Sequence, residues 1–108
     1  MYKRQIQYDG DRLQFDDRLL AHLQIVIVQK LRNDQSFLMS WMNVVSIGDG
    51  RTGIWMQAGI PLRFNFSGSR VPAINSDWLH TLQQSANSST GLVITDEQGQ
   101  LARCGAPA

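Results

Sequence analysis

Residues 16–33 read DDRLLAHLQIVIVQKLRN, and the conformation they take decides the fold. Asp16 and Asp17 stand at one end, where carboxylates accept free amide protons and complement the positive end of a helix dipole. Lys30 and Arg32 stand at the other end, where cations are favoured, and Asn33 is expected as a left-handed C-cap. Leu20, Leu23, Ile27 and Leu31 recur at helical spacing, and Leu19 and Val26 widen the stripe. The run Ile25-Val26-Ile27-Val28 pulls the other way, because four β-branched residues in succession favour a strand. In a helix they spread apolar surface around about 300° of its circumference, at about 100° per residue. Caps and charges agree at both ends, so the spacing predicts a helix over 17–32. Such a helix is buried on more than one side, either centrally or between two copies of the chain.

Working upstream, short alternations around Asp9-Gly10-Asp11 predict strands near 6–8 and 12–15, since Asp-Gly between two such runs is a hairpin signal. Downstream, SFLMSWM over 36–42 reads as a strand with Phe37, Met39 and Trp41 on one face. Thr52 to Ala58 is the next, with Ile54 and Met56 opposed to Trp55 and Gln57. Leu62, Phe64 and Phe66 alternate with Arg63 and Asn65, the pattern of an antiparallel sheet with one buried face. Asn75 or Ser76 caps a second helix carrying Trp78, Leu79 and Leu82. Ala86 to Gly91 ends it, and 92–95 forms a last strand. The composition then turns to Gly, Gln, Ala and Pro, so 96–108 is expected to be a flexible tail. The order ββαβββαβ predicts an α+β domain over 6–95, an antiparallel sheet with two helices packed on one face.

Composition narrows the classes of function. The 108 residues are 43% apolar, enough for one domain with a small core. Charged residues make up 18%, below the ~25% of an average globular protein, which excludes a highly charged disordered chain. No run approaches the ~18 apolar residues of a membrane span, and no secretory leader is read, so a cytoplasmic protein is expected. A single cysteine, Cys104, excludes an internal disulfide and a cysteine-rich zinc site. Met1-Tyr2-Lys3-Arg4-Gln5 is what the transposon-end adapter GTGTATAAGAGACAG encodes from a GTG start, so 1–5 is set aside as adapter read-through; the alternative is a genuine basic terminus. Ten Lys and Arg against nine Asp and Glu give +1. Without Lys3 and Arg4 the balance is eight against nine, or −1, which offers no argument for nucleic acid or anionic membranes.

Chemistry-bearing patterns are few. Gln7-Tyr8-Asp9-Gly10-Asp11-Arg12 is similar to the Lys-x-Asp-Gly adenylation motif of ATP-dependent DNA ligases. That chemistry needs a lysine amine to attack the α-phosphate of ATP, and Gln7 holds a delocalised, non-nucleophilic nitrogen. A hairpin turn accounts for the residues. Gly48-Asp49-Gly50-Arg51-Thr52-Gly53 lacks the Gly-Lys-Ser/Thr ending of a phosphate-binding loop and reads as a connection between strands. His22 and His80 stand on different helices without an i,i+4 partner, so no metal site is expected. In its apolar setting His22 suits a core hydrogen bond better than a catalytic base. Trp41, Trp55, Trp78, Phe64 and Phe66 suit the core better than a base-stacking platform, although one of Trp41 and Trp55 is expected to reach the open sheet face. Cys104 is expected to be an exposed thiol without a partner. No catalytic residue, cofactor or metal ligand is nominated. The candidate binding patch comprises Arg51, Trp55, Arg63 and His22.

Several separated elements together resemble a family of short uncharacterised bacterial proteins that commonly carry the name ATP-dependent DNA ligase. They are residues 16–41, Gly50-Arg51 with Trp55, Ile60-Pro61-Leu62 with Phe64 and Phe66, and Asn75 with Trp78 and Ala86-Asn87-Ser88. The resemblance covers about residues 6–95, and Asn33-Asp34 departs from it where a basic-then-small pair is expected. The name implies a nucleotide- or DNA-end-related role, as a ligase-like accessory. The residues themselves point to a non-enzymatic interaction or structural domain, self-associating through 17–32 or a sheet edge as a homodimer. Single-strand nucleic-acid binding through Arg51, Trp55 and Arg63 is the further alternative.

Overall fold

The computed structural model describes residues 5–107. Within them β1 (Gln5–Tyr8) and β2 (Asp11–Gln14) form the expected hairpin. Asp9 and Gly10 both take positive φ, 49° and 86°, as a type I′ turn requires. Gln5, the one residue of the set-aside N-terminus that lies among those described, heads β1 opposite Gln14.

The decisive stretch is helical. α1 spans Asp17–Arg32, with the Asp16 side chain accepting from the Leu19 amide at 2.9 Å. The β-branched run was therefore outvoted by its ends. Burial is wide in the first half of the helix, where Leu19, Leu20, Ala21, His22 and Leu23 are all enclosed. It narrows in the second half, where Val26 and Ile27 are buried while Ile25 and Val28 remain 37% and 41% exposed. The expected burial on more than one side thus holds in the first half of the helix and is corrected to one side at the β-branched run. Asn33 is not left-handed either, with φ −95°. The left-handed residue is Asp34, at φ 57°, because the helix closes through Asn33, Asp34 and Gln35 amides bonded back to Lys30 and Leu31 carbonyls.

β3 (Phe37–Asn43), β4 (Arg51–Met56), β5 (Leu62–Asn65), α2 (Ser76–Ala86) and β6 (Leu92–Val93) complete the predicted order. The fold is α+β, and its strands divide into two sheets. One is antiparallel, in the order β5-β1-β2-β8. The other runs β4-β3-β6, with β4 antiparallel and β6 parallel to β3. A single antiparallel sheet is thus corrected to two sheets, the second of them mixed. The reasons are long-range: β5 pairs with β1 and not with β4, and β6 returns beside β3 after α2, and local alternation carries no record of either pairing.

The segment expected to be a flexible tail contributes β7 (Arg103–Cys104), parallel to β3, and β8 (Ala106–Pro107), paired with β2. Its entry is a turn in which the Asp96 carboxylate accepts from the Gln98 and Gln100 amides, with Gly99 at φ +82°. Gly105 seals it against the core. A Cβ there would lie 2.2 Å from Trp41 Nε1, and φ is +73°, so only glycine fits.

One core joins these elements. Ile6, Phe15, Leu20, Leu23, Ile27, Met39, Trp41, Met56, Leu82, Leu92 and Ile94 are almost wholly enclosed. Each such aliphatic or aromatic side chain contributes ~1.5–3 kcal/mol. Phe15 meets Trp41 edge-on at 5.4 Å and 86°. Among the described residues, no helix is long and apolar enough to cross a membrane.

Candidate functional site

The outer side of the second sheet sets exposed apolar side chains beside an unpaired strand edge. Phe37, Met39 and Trp41 turn inward from β3, so Leu38, Ser40 and Met42 turn outward. The register sets Trp55 opposite Leu38, Gly53 opposite Ser40 and Arg51 opposite Met42. Leu38 is 39% exposed and Trp55 57%, and Leu101, nearby, is 50% exposed. A depression of ≈ 570 Å³ lies over Gly53, between Leu38, Arg51, Val93 and Leu101. The Arg51 guanidinium reaches across its floor to Ser40 Oγ at 3.3 Å, its only hydrogen bond among the described residues.

The rim of this face is a strand edge. Asn43 N–H donates to the Gly50 carbonyl. By alternation Thr52, Ile54 and Met56 bond to β3, and the amides of Arg51, Gly53 and Trp55 point away from the sheet. The Tyr8 hydroxyl bears this out: it donates to the Trp55 carbonyl and accepts from the Gln57 amide, both at 3.0 Å. Tyr8 thereby closes one end of the edge. The main-chain groups of Arg51 and Gly53 and the Trp55 N–H have no partner among the described residues.

His22 belongs to the opposite kind of place. It is fully buried, against Trp78 at 4.5 Å between ring centres. The Asn75 amide donates to Nε2 at 2.9 Å, so the ring proton sits on Nδ1 and is donated to the Arg18 carbonyl at 2.7 Å. The Asn75 side chain caps α2 through the Asp77 and Trp78 amides and donates to Glu97 Oε1 at 3.0 Å. Arg18 binds the same oxygen at 2.7 Å, and the Trp78 indole donates to the Thr95 carbonyl at 3.0 Å. Arg18, and to a lesser degree Asn75, hold the Glu97 carboxyl down at about 2. This cluster ties α1, α2 and the 95–97 segment together, and both His22 nitrogens are occupied. His22 is therefore removed from the binding patch, because a fully buried ring presents nothing to a ligand.

The remaining candidates separate. Arg51 and Trp55 share β4, whereas Arg63 lies on β5 in the other sheet, opposite Gln7. Arg63 is thus not on the face that Arg51 and Trp55 share, and the stacking platform expected from the three is not assembled. Of the tryptophans, Trp41 and Trp78 are buried and Trp55 is the one that reaches the open face. Phe64 and Phe66 are half-buried against the core. Cys104 is corrected from an exposed thiol to a half-buried one, pushed up to about 12 by burial, with Sγ near the Ala102 carbonyl. Such a thiol is a poor nucleophile. Among the described residues no group of three or more His, Cys, Asp or Glu is placed to hold a metal ion. Sequence reading missed Leu38 as a site residue. Its alternation showed an outward position, but only the register reveals Trp55 beside it.

No curated protein and no solved structure matches the chain. A family described as a domain of unknown function, DUF7882, matches residues 4–97. That span runs from the first strand through the Glu97 contact and takes in β3, β4 and the buried histidine cluster, and the chain therefore belongs to the DUF7882 family.

Proposed function

We propose that the chain is a non-enzymatic interaction domain that self-associates through the free edge of β4 and the apolar face beside it. The observation that carries this reading is the conjunction of unpaired main-chain groups at Arg51, Gly53 and Trp55 with the exposed Leu38–Trp55 pair. A bare strand edge is a template for another strand, and proteins that do not use one guard it with charge, proline or a bulge. Here Tyr8 closes one end and the Arg51 charge stands at the other, and the main chain between them is bare. A two-fold contact built on this patch is isologous: each copy offers the same edge, with an aromatic and a cation in reach of each other. An indole, three aliphatic side chains and one guanidinium suit binding, and no histidine, cysteine or carboxylate lines the depression to activate its hydroxyls.

Size-exclusion chromatography with light scattering tests this at ~100 µM protein, within the range of weak self-association. The expected result is a mass of two copies for the native chain and of one copy for Trp55→Lys. The control Ile25→Lys, on the exposed side of α1, leaves the dimer intact. A single-copy mass for the native chain, or a dimer lost only through Ile25→Lys, would overturn the assignment of the edge.

A further inference from the structure

Between β5 and α2 the chain reads FSGSRVPAIN over 66–75 and forms neither helix nor strand. It is fastened to the start of α1 at two points. The Asp17 carboxylate accepts from the Ser67 amide at 3.1 Å and from the Ser67 hydroxyl at 2.8 Å. The Arg18 guanidinium donates to the Ala73 carbonyl at 2.8 Å. Between these fastenings, residues 68–72 make no main-chain or side-chain hydrogen bond among the described residues. Gly68, Ser69, Arg70 and Val71 are exposed, Val71 at 81%. Pro72 biases the residue before it toward extended backbone, so Val71 is directed away from a helical turn.

An enzyme that cuts inside a folded chain needs an extended stretch whose main-chain groups are free to bond to it. The basic side chains of the described residues differ sharply in this respect. Arg12, Arg51, Arg63 and Arg103 lie in β2, β4, β5 and β7, and Arg18, Lys30 and Arg32 lie in α1. Arg70 is the one basic residue among those described that stands outside helix and strand. The small residues Gly68 and Ser69 precede it, and Val71, not proline, follows it.

We infer that 68–72 is a processing segment, recognised by an arginine-specific serine endoprotease that hydrolyses the Arg70–Val71 bond. Arg70 fills the pocket that selects the residue before the cut. Water adds across the amide: its hydroxyl goes to the Arg70 carbonyl carbon and a proton goes to the departing Val71 nitrogen. The two pieces remain joined, because the contacts that cross the cut lie outside it. Asn75 stays bonded to His22, and Glu97 to Arg18. Leu82 and Leu92 stay in the core, and β7 and β8 stay paired with β3 and β2. The site makes no use of the β4 edge and stands whether or not the chain self-associates.

Trypsin at a low ratio to the native chain is the probe, with intact-mass measurement over time. The expected first cut between residues 5 and 107 yields 1–70 and 71–108. The two fragments are expected to travel together in size-exclusion chromatography, at the position of the uncut chain, and to separate in urea. Arg70→Gln is expected to slow this first cut at least about tenfold, since the selecting pocket loses its cation. Arg51→Gln and Arg63→Gln leave its rate unchanged. All three positions are exposed, and an unchanged melting curve verifies that each variant is folded. A first cut after any other basic residue in 5–107, simultaneous cutting at several of them, or fragments that part without denaturant would overturn the inference.

Discussion

At the start of α2 the polar groups answer one another, while on the outer side of β3 and β4 most have no answer. The first region gathers Arg18, His22, Asn75, Trp78 and Glu97 from three parts of the chain, each donor meeting an acceptor within 3.2 Å. The second presents Leu38, Trp55, Arg51 and a strand edge with one hydrogen bond from Arg51. A histidine, an amide, a carboxylate and a guanidinium together look like a catalytic set in a list of residues. Their geometry makes them a clamp. The region that looks bland in the same list is the one with unspent interactions.

Breaking the clamp is expected to have the largest effect. His22→Leu keeps an apolar shape in the core but strands the Asn75 amide without an acceptor. A buried donor left unpaired costs ~1–3 kcal/mol, and the lost ring contact with Trp78 adds to it. Urea unfolding should show a fall of about 2–3 kcal/mol. Asn75→Ala is the next step down. It removes the α2 cap and one of the two groups that hold Glu97, and a lost cap costs ~1 kcal/mol. If His22→Leu cost no more than a surface substitution, the clamp reading would fail.

Acid titration sharpens the same point on a smaller scale. The folded Glu97 carboxyl titrates at about 2, below its ordinary 4.5, because Arg18 and Asn75 bond the charged form. A depressed carboxyl stabilises the fold at neutral pH, and that contribution is lost as pH falls from 4.5 through about 2. Melting temperature against pH should therefore decline less steeply over this window in Glu97→Gln than in the native chain. The pair is exposed, so the difference should also shrink in high salt.

Much of the fold was legible because its signals are local. Both ends of α1 follow from Asp16 and the charges at Lys30 and Arg32, which outweighed four β-branched residues in a row. Alternation correctly oriented Phe37, Met39 and Trp41 against Leu38, and Trp55 against Met56. Long-range facts were not legible. β5 pairs with β1 and not with β4, which divides the strands into two sheets and is why Arg63 and Arg51 read as neighbours and are not. The last residues lack any apolar alternation, so nothing local announced that Gly105 packs on Trp41. The histidine cluster was half visible: His22 reads as a core hydrogen-bonder, but its partner Asn75 is 53 residues away.

The smallest effect on stability is expected where the largest effect on association is. Trp55 is 57% exposed and its side chain makes no hydrogen bond among the described residues, so Trp55→Lys removes little that folding uses. A surface substitution of this kind stays within about 0.5 kcal/mol in urea unfolding. Its carbonyl, which holds the Tyr8 hydroxyl, is main chain and survives the change. The added ammonium beside the β4 edge opposes a second copy both by charge and by the water it retains. A variant of native stability that no longer pairs would locate association on this face. One that pairs normally would leave the edge as exposed structure, and a variant that unfolds would show Trp55 to be part of the core after all.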